Sequence, residues 1–332
     1  MKTRAMGPGG PQVSCIGIGA MSFTDFYGPT TRENSFAVLD AAVEAGVSHI
    51  DTSNVYGMGG SEETIGAWLS ANPGGRDHFH IATKGGITKD AEGRRCYDNS
   101  LEHLEAELEG SLRRMGLDCV DLYYVHRREH ERPIEEVTEA LASLVAKGKC
   151  RAIGFSEIAP SSLRRAHAVH PVAAVQSEYS LATRAPELGL VQTCEDLGTT
   201  LVAFSPTGRS LLTDSPIAPG RVPEVAFLAA NPRFQQPELG YNLAATDRFR
   251  ALAAEMGVPA AGLAMAWLLA RSGSTIPIPG TRSVEHFREL LAGAEMTLGA
   301  DDMARIEAVL SVGWCHGDRY TAAQWVGPER YC

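Results

Sequence analysis

Short apolar runs rich in β-branched residues alternate along this chain with longer stretches whose apolar positions recur at helical spacing. The strand-like runs cover residues 13–18, 47–51, 78–83, 120–126, 151–156, 173–177, 200–205 and 275–279. Several are apolar without alternation, as expected of strands buried on both faces. The helical stretches cover residues 31–45, 62–70, 98–115, 134–147, 161–170, 186–197 and 245–256, the last continued by 260–270, with 284–291 after the final run. Ser61 and Pro160 read as helix starts, and Gly46, Gly116, Gly148, Gly198 and Gly257 sit just past helix ends. Eight strands, each followed by a helix, is the count of a (β/α)8 barrel. A doubly wound sheet usually has fewer strands and a Gly-rich turn after the first. The expectation is an α/β fold, a single TIM barrel spanning residues 1–332.

Three segments fall outside the repeat. Residues 1–12 carry Gly-Pro-Gly-Gly-Pro and suggest a hairpin plugging one barrel end. Residues 206–244 form a long Pro-rich connection, and residues 311–332 a Trp- and Tyr-bearing tail. Loops of this length in a compact domain are commonly lids or binding loops.

Composition narrows the function. Lys and Arg number 30 against 40 Asp and Glu, a net charge of −10, which leaves no footprint for gripping nucleic acid. No apolar run is long enough to span a bilayer, and the first fifteen residues lack the apolar core of a signal peptide. Seven cysteines at 15, 96, 119, 150, 194, 315 and 332 form no CxxC pair, which suggests neither a disulfide framework nor a zinc site. No metal is expected, and a reducing cytoplasm is the expected setting. Cys332 is a candidate exposed thiol without an assigned role. Oligomeric state is not legible.

In a (β/α)8 barrel the chemistry lies where strands end at the C-terminal mouth. The second run leads into Asp51-Thr52-Ser53-Asn54-Val55-Tyr56-Gly57, the third into Thr83-Lys84-Gly85-Gly86, and the fourth into Val125-His126-Arg127. Singly, each residue has an ordinary reading: Asp51 as a helix cap, Tyr56 as packing, Lys84 as a phosphate ligand or solvent charge, His126 as a satisfied half-buried histidine. Together they make an acid. A free phenol titrates near pH 10, and an adjacent ammonium favours its phenolate. Asp51 would hold that ammonium, and His126 would orient a carbonyl oxygen. Such a site needs a partner that supplies hydride.

These motifs, with IGIGAM, GSEETIGAWL, IATKGG, YYVHR, IGFSE, AVQSEYS, AFSPTGR and IPIPGT, resemble the aldo-keto reductases from about Val13 to Leu310. The stretch after IGFSE is similar to the branch of general aldehyde and ketone reductases from bacteria and yeast. The resemblance implies NADPH-dependent reduction of aldehydes or ketones, with Asp51, Tyr56, Lys84 and His126 as the catalytic tetrad. It implies that Ser156 and Gln176 hold the nicotinamide carboxamide and that Phe204 stacks on the ring. Ser205, Pro206, Gly208 and Arg209 would follow the pyrophosphate. Gly280, Thr281, Arg282 and Ser283 would grip the 2′-phosphate, a dianion suited to a guanidinium fork.

Departures from the family pattern are Glu157, where Asn is frequent, His286 in place of an adenine-packing Arg, and Leu290 in place of an adenine-contacting Asn. Glu289 keeps the neighbouring acid. The usual GFL after Gly-Arg reads Ser210-Leu211-Leu212. NADH is the less favoured nucleotide.

Phe23, Phe26, Tyr27, Met58, Arg127 and Trp325, with Trp314, are candidate contacts to a small carbonyl or alcohol substrate. The run from Arg127 to Arg132 otherwise reads as a solvated loop. Gly17-Ile18-Gly19 lacks the third glycine of a dinucleotide fingerprint and suits tight passage at the rim. Two other functions stay open: a Schiff-base barrel of the aldolase type using Lys84, and a cofactor-binding regulatory protein with vestigial turnover.

Overall fold

The computed structural model describes residues 1–330; Cys332, and the expectation of an exposed thiol there, lies outside them. Strands β1 (Thr3–Ala5) and β2 (Gln12–Ser14) pair antiparallel as the opening hairpin. Strands β3 (Ile18–Gly19), β4 (His49–Asp51) and β5 (His80–Gly85) follow. A second hairpin, β6 (Ile87–Lys89) with β7 (Arg95–Tyr97), stands on the loop after β5. The chain continues through β8 (Val120–Val125), β9 (Cys150–Ser156), β10 (Val172–Glu178), β11 (Thr200–Phe204) and β12 (Thr275–Pro277). One parallel sheet runs β3-β4-β5-β8-β9-β10-β11-β12.

The two ends of that sheet meet. Gly17 N donates to Pro277 O at 2.9 Å and Gly19 N to Pro279 O at 3.0 Å, which closes the barrel. Contact is so close there that a Cβ on Gly19 would lie 2.6 Å from Ile278 O. The glycines of the GIG run thus permit closure.

Two layers of apolar side chains hold the barrel. Inside it, Ala82, Leu122, Tyr124, Ala174, Val202 and Ile276 form a cluster with Met6 and Val13 of the hairpin, which stoppers the N-terminal end. Outside it, the helices bury their apolar faces on the strands, with Leu39, Leu108, Leu141, Phe249 and Trp267 almost fully covered. Helix ends follow their local chemistry. Thr31 and Ser100 side chains accept from the backbone N–H three residues on, while Gly46, Gly116 and Gly198 take the left-handed conformation that stops a helix.

Several boundaries differ from the sequence reading. Residues 13–18 are two strands, because Gln12–Ser14 belongs to the hairpin and only Ile18–Gly19 to the barrel. His78 ends a helical turn (Gly75–His78), so β5 begins at His80. The 206–244 connection contains turns at Pro219–Glu224, Ala226–Ala229 and Pro232–Phe234 and already enters a helix (Glu238–Glu255) before its end. The hairpin β6–β7 and the helix Ala300–Val309 were not read from the sequence. Among the described residues, no single helix is long and apolar enough to cross a membrane.

Candidate active site

The strand register brings four chemistry-bearing side chains to one point of the mouth. Asp51 is the last residue of β4, Lys84 lies in β5 opposite Tyr124 of β8, and His126 follows β8. Tyr56 starts a tight turn (Tyr56–Gly59) whose Gly57 and Met58 have φ of 58° and 55°. The fully buried Lys84 ammonium is ion-paired to Asp51 Oδ1 and donates to Thr52 O at 2.7 Å and to Tyr56 Oη at 3.2 Å. All three of its N–H bonds are used.

Burial by itself would lower the Lys84 pKa, but the charges and hydrogen bonds of Asp51 and Tyr56 outweigh it and raise it. An ammonium held this way has no lone pair for a substrate carbonyl, which argues against the Schiff-base reading. The other carboxylate oxygen of Asp51 accepts from Gln176 Nε2 at 2.7 Å.

His126 is buried, with its ring edge-on to Tyr56 at 5.8 Å between centroids. Burial, reinforced by Arg127, Lys84 and Arg95, pushes its pKa well below the usual imidazole value, so the ring is neutral at pH 7. Its Nδ1 lies 3.1 Å from Ser53 Oγ.

Around this cluster the strand ends carry a buried charge network that the sequence did not reveal. Glu157, directly after β9, is ion-paired to Arg319 of the tail and accepts from Glu178 N at 2.9 Å. Glu178, the last residue of β10, pairs with Arg209 at 2.6 Å and Arg233 at 3.2 Å. Burial would raise both carboxyl pKa values, but the arginines hold them below the usual range. Glu157, whose role was open, anchors the tail; its carbonyl also accepts from Glu329 N at 2.8 Å. The loop residues Arg127 and Arg128 are buried, which corrects the solvated-loop reading: Arg128 pairs with Glu329, and Arg127 lies against the tail.

A sequence model of the aldo/keto reductase family matches residues 15–311. The chain belongs to that family. It is 37% identical over 316 residues to "Aldo-keto reductase yakc [NADP(+)]" of Schizosaccharomyces pombe, covering 94% of this chain and 93% of that protein. It is 35% identical to "Probable aldo-keto reductase 1" of Glycine max, over 95% of this chain and 90% of that one. The solved glycerol dehydrogenase AKR11B4 from Gluconobacter oxydans superposes with a TM-score of 0.80 at 27% identity, covering 93% of this chain and 94% of its own. Membership places the chain among oxidoreductases and accounts for the closed barrel.

The residues that the sequence resemblance implies for a nicotinamide nucleotide divide by position. Ser156 and Gln176 sit buried beside the tetrad at the ends of β9 and β10. With its Nε2 held by Asp51, Gln176 turns its amide oxygen elsewhere as an acceptor, while Ser156 Oγ, accepting from Arg127 at 3.0 Å, keeps its proton to donate. One donor and one acceptor fit a carboxamide. Phe204 ends β11 half-exposed, with Ser205, Pro206 and Gly208 in the turn beyond it. Arg209 points inward to Glu178, so its guanidinium is not free on that loop. At the far rim, Ser283 caps the helix Val284–Glu295, and Thr281 Oγ1 accepts from Ser283 N. Arg282 reaches across to Pro29 O at 2.9 Å, so close to Gly28 that a Cβ there would lie 2.8 Å from the guanidinium. A helix N-terminus beside a guanidinium fits a phosphate. Gly280 and His286 are exposed and Glu289 is partly so, whereas Leu290 is packed in the core.

The substrate candidates divide by exposure and packing. Phe23 is 5% exposed and packs within the main core. Phe26 and Tyr27 form an aromatic group with Phe227, whereas Met58 is 94% exposed. Trp325 folds on its own tail: its Nε1 donates to Asp318 at 2.8 Å and Arg319 and Arg330 flank its ring. Trp314 donates to Leu181 O at 2.7 Å and packs on the core. Phe23, buried, and Trp314, partly buried, both pack on the main core.

Proposed function

We propose that this chain reduces aldehydes or ketones to alcohols with NADPH, and oxidises alcohols with NADP+ by the same groups in reverse. The observation that carries the reading is the Asp51–Lys84–Tyr56 chain, which holds a full positive charge 3.2 Å from the phenol oxygen. When bound, the nicotinamide supplies the hydride for the carbonyl carbon. Tyr56 delivers the proton to the carbonyl oxygen, and the Lys84 ammonium stabilises the phenolate left behind. Asp51 keeps that ammonium charged and aimed. Neutral His126 has one N–H, which would lie on Nε2 and orient the carbonyl oxygen in the tautomer where Ser53, 3.1 Å away, donates to Nδ1.

The chain's own residues fit the nucleotide. Ser156 and Gln176 would hold the carboxamide, Phe204 would face the ring, and the turn from Ser205 to Gly208 would follow the pyrophosphate. Arg282, with the capped helix beside it, would take the 2′-phosphate. The NADP(+) in the name of the fission-yeast relative supports this choice. The six described cysteines are free thiols, which supports a reducing cytoplasm.

The test is consumption of NADPH with a panel of aryl and alkyl carbonyls, for the parent and for Tyr56→Phe. Turnover in the variant should fall by about 10²–10⁴, the range for general acid catalysis, with NADPH affinity nearly retained. Tight NADPH binding with no carbonyl accelerating its oxidation would instead mark a cofactor-binding regulatory protein.

A further inference from the structure

The rim network holds four buried guanidinium groups, on Arg127, Arg209, Arg233 and Arg319, against the two carboxylates of Glu157 and Glu178. Three of the arginines share those carboxylates. Arg127 is the exception. At 9% exposure its fork meets only neutral oxygens: His126 O at 2.6 Å, Ser156 Oγ at 3.0 Å and Tyr320 Oη at 3.2 Å. Its stem is packed under the tail so closely that a Cβ on Gly327 would lie 3.0 Å from Arg127 Cγ. Arg209 Nε is buried without a hydrogen-bond partner, and Arg319 Nη1 has only a 3.7 Å ion pair to Glu178. A buried cation is stable only where an opposite charge or a set of acceptors replaces water. Acceptors surround the Arg127 fork, but no carboxylate among the described residues lies within ion-pair distance of it, so its charge at Ser156, beside the tetrad, is hydrogen-bonded and not ion-paired.

We propose that Arg127 is the centre of an anion subsite and selects carbonyl substrates that bear a carboxylate. The planar fork matches a carboxylate bidentately, as a neutral polar group does not. Two features place the anion on the substrate and not on the nucleotide phosphates. Arg127 touches Ser156 and is the largest charge acting on the His126 ring, so it lies at the tetrad end of the mouth. The 2′-phosphate candidates, Arg282 and the helix capped by Ser283, instead follow β12, on the barrel seam where that strand meets β3. Tyr320, held by Arg127 and flanked by Arg209 and Arg319, is the tail residue that covers the subsite.

The turnover arm of the test rests on the reductase reading. The parent, Arg127→Met and Arg127→Lys are compared on para-carboxybenzaldehyde and its methyl ester, as the ratio of kcat/KM. The parent should favour the acid by about ten- to a hundredfold, the range of a charge-assisted hydrogen bond, chiefly through KM. In Arg127→Met the ratio should fall to near one, and Arg127→Lys should keep part of it. A parent ratio near one overturns the proposal. So does an equal loss on acid and ester in Arg127→Met, which would leave the arginine holding only Ser156 and the tail, or a loss confined to NADPH affinity. Calorimetry of benzoate against benzamide with the NADP+-loaded proteins reads the subsite without turnover. If neither aldehyde is reduced yet benzoate binds the parent at least tenfold better than Arg127→Met, the reductase reading fails and the subsite stands. Equal affinities sink the subsite.

Discussion

Replacing Lys84 with Met separates the structural and chemical roles of one ammonium. The substitution leaves the Asp51 carboxylate buried, at 2% side-chain exposure, with Gln176 Nε2 as its remaining hydrogen-bond partner. Removing one partner of a buried ion pair costs about 3–5 kcal/mol, because the survivor keeps its desolvation penalty. Adding Asp51→Asn removes that stranded charge, so the double variant should regain most of the loss in denaturant unfolding, with a coupling energy of about 2 kcal/mol or more. Catalysis should behave differently. At 3.2 Å and an effective dielectric near 20, the ammonium stabilises a Tyr56 phenolate by about 5 kcal/mol, or about 10³–10⁴ in rate. Both variants should lose that factor in NADPH-coupled turnover, because the double substitution restores the fold and not the charge. A single variant within about 1 kcal/mol of the parent, or one that retains turnover within tenfold, would refute the reasoning.

Two further outcomes follow from other parts of the mouth and barrel. Arg282→Ala should weaken NADPH by about ten- to a hundredfold and NADH little, in fluorescence titrations; equal losses would show that Arg282 does not read the 2′-phosphate. Burial first, and the His49 ring second, lower His80 from 6.5 to about 3. The unfolded chain therefore takes up a proton near pH 6.5 that the fold refuses, so stability is full above that pH and falls below it until about pH 3. His80 contributes about 1.36 kcal/mol per pH unit, or about 2 kcal/mol between pH 6.5 and 5. Buried His49 and His126, also lowered, add their own, so His80→Gln should reduce the slope by about one proton's worth and not abolish it in denaturant midpoints measured against pH.

The barrel was legible because its strands are buried on both faces and its helices on one, so two periods repeat eight times along the chain. The tetrad was legible for a related reason: strand ends in this fold form one ring, so Asp51, Lys84 and His126 are neighbours once their strands are assigned. What escaped was long-range pairing. Glu157 and Glu178 stand in motifs that the sequence reading had marked, yet nothing near them in the chain names their partners. Arg233 lies in the Pro-rich connection and Arg319 in the tail, more than fifty and a hundred residues away. The opening hairpin was anticipated, but its second strand merged with the first barrel strand, because Val13 and Ile18 are both apolar for different reasons: one stoppers the barrel and the other belongs to its wall. Phe23 carries the same ambiguity, since an aromatic after the first strand serves a core as readily as a pocket.

The overall charge of −10 and the positive rim are compatible because they act over different distances. Screening at physiological salt confines exposed charges to about 8 Å, so acidic residues on the outer helices contribute little at the mouth. The rim arginines lie at the strand ends in a medium that screens weakly, and there their excess over Glu157 and Glu178 governs. An anion approaching at low ionic strength meets first the repulsion of the whole molecule and then the attraction of the rim. Added salt suppresses the first more than the second, because the first acts through water and the second across buried contacts. Capture of a phosphate or carboxylate by this mouth therefore depends on fit at short range and not on steering from afar. A net acidic chain can serve anionic ligands on those terms.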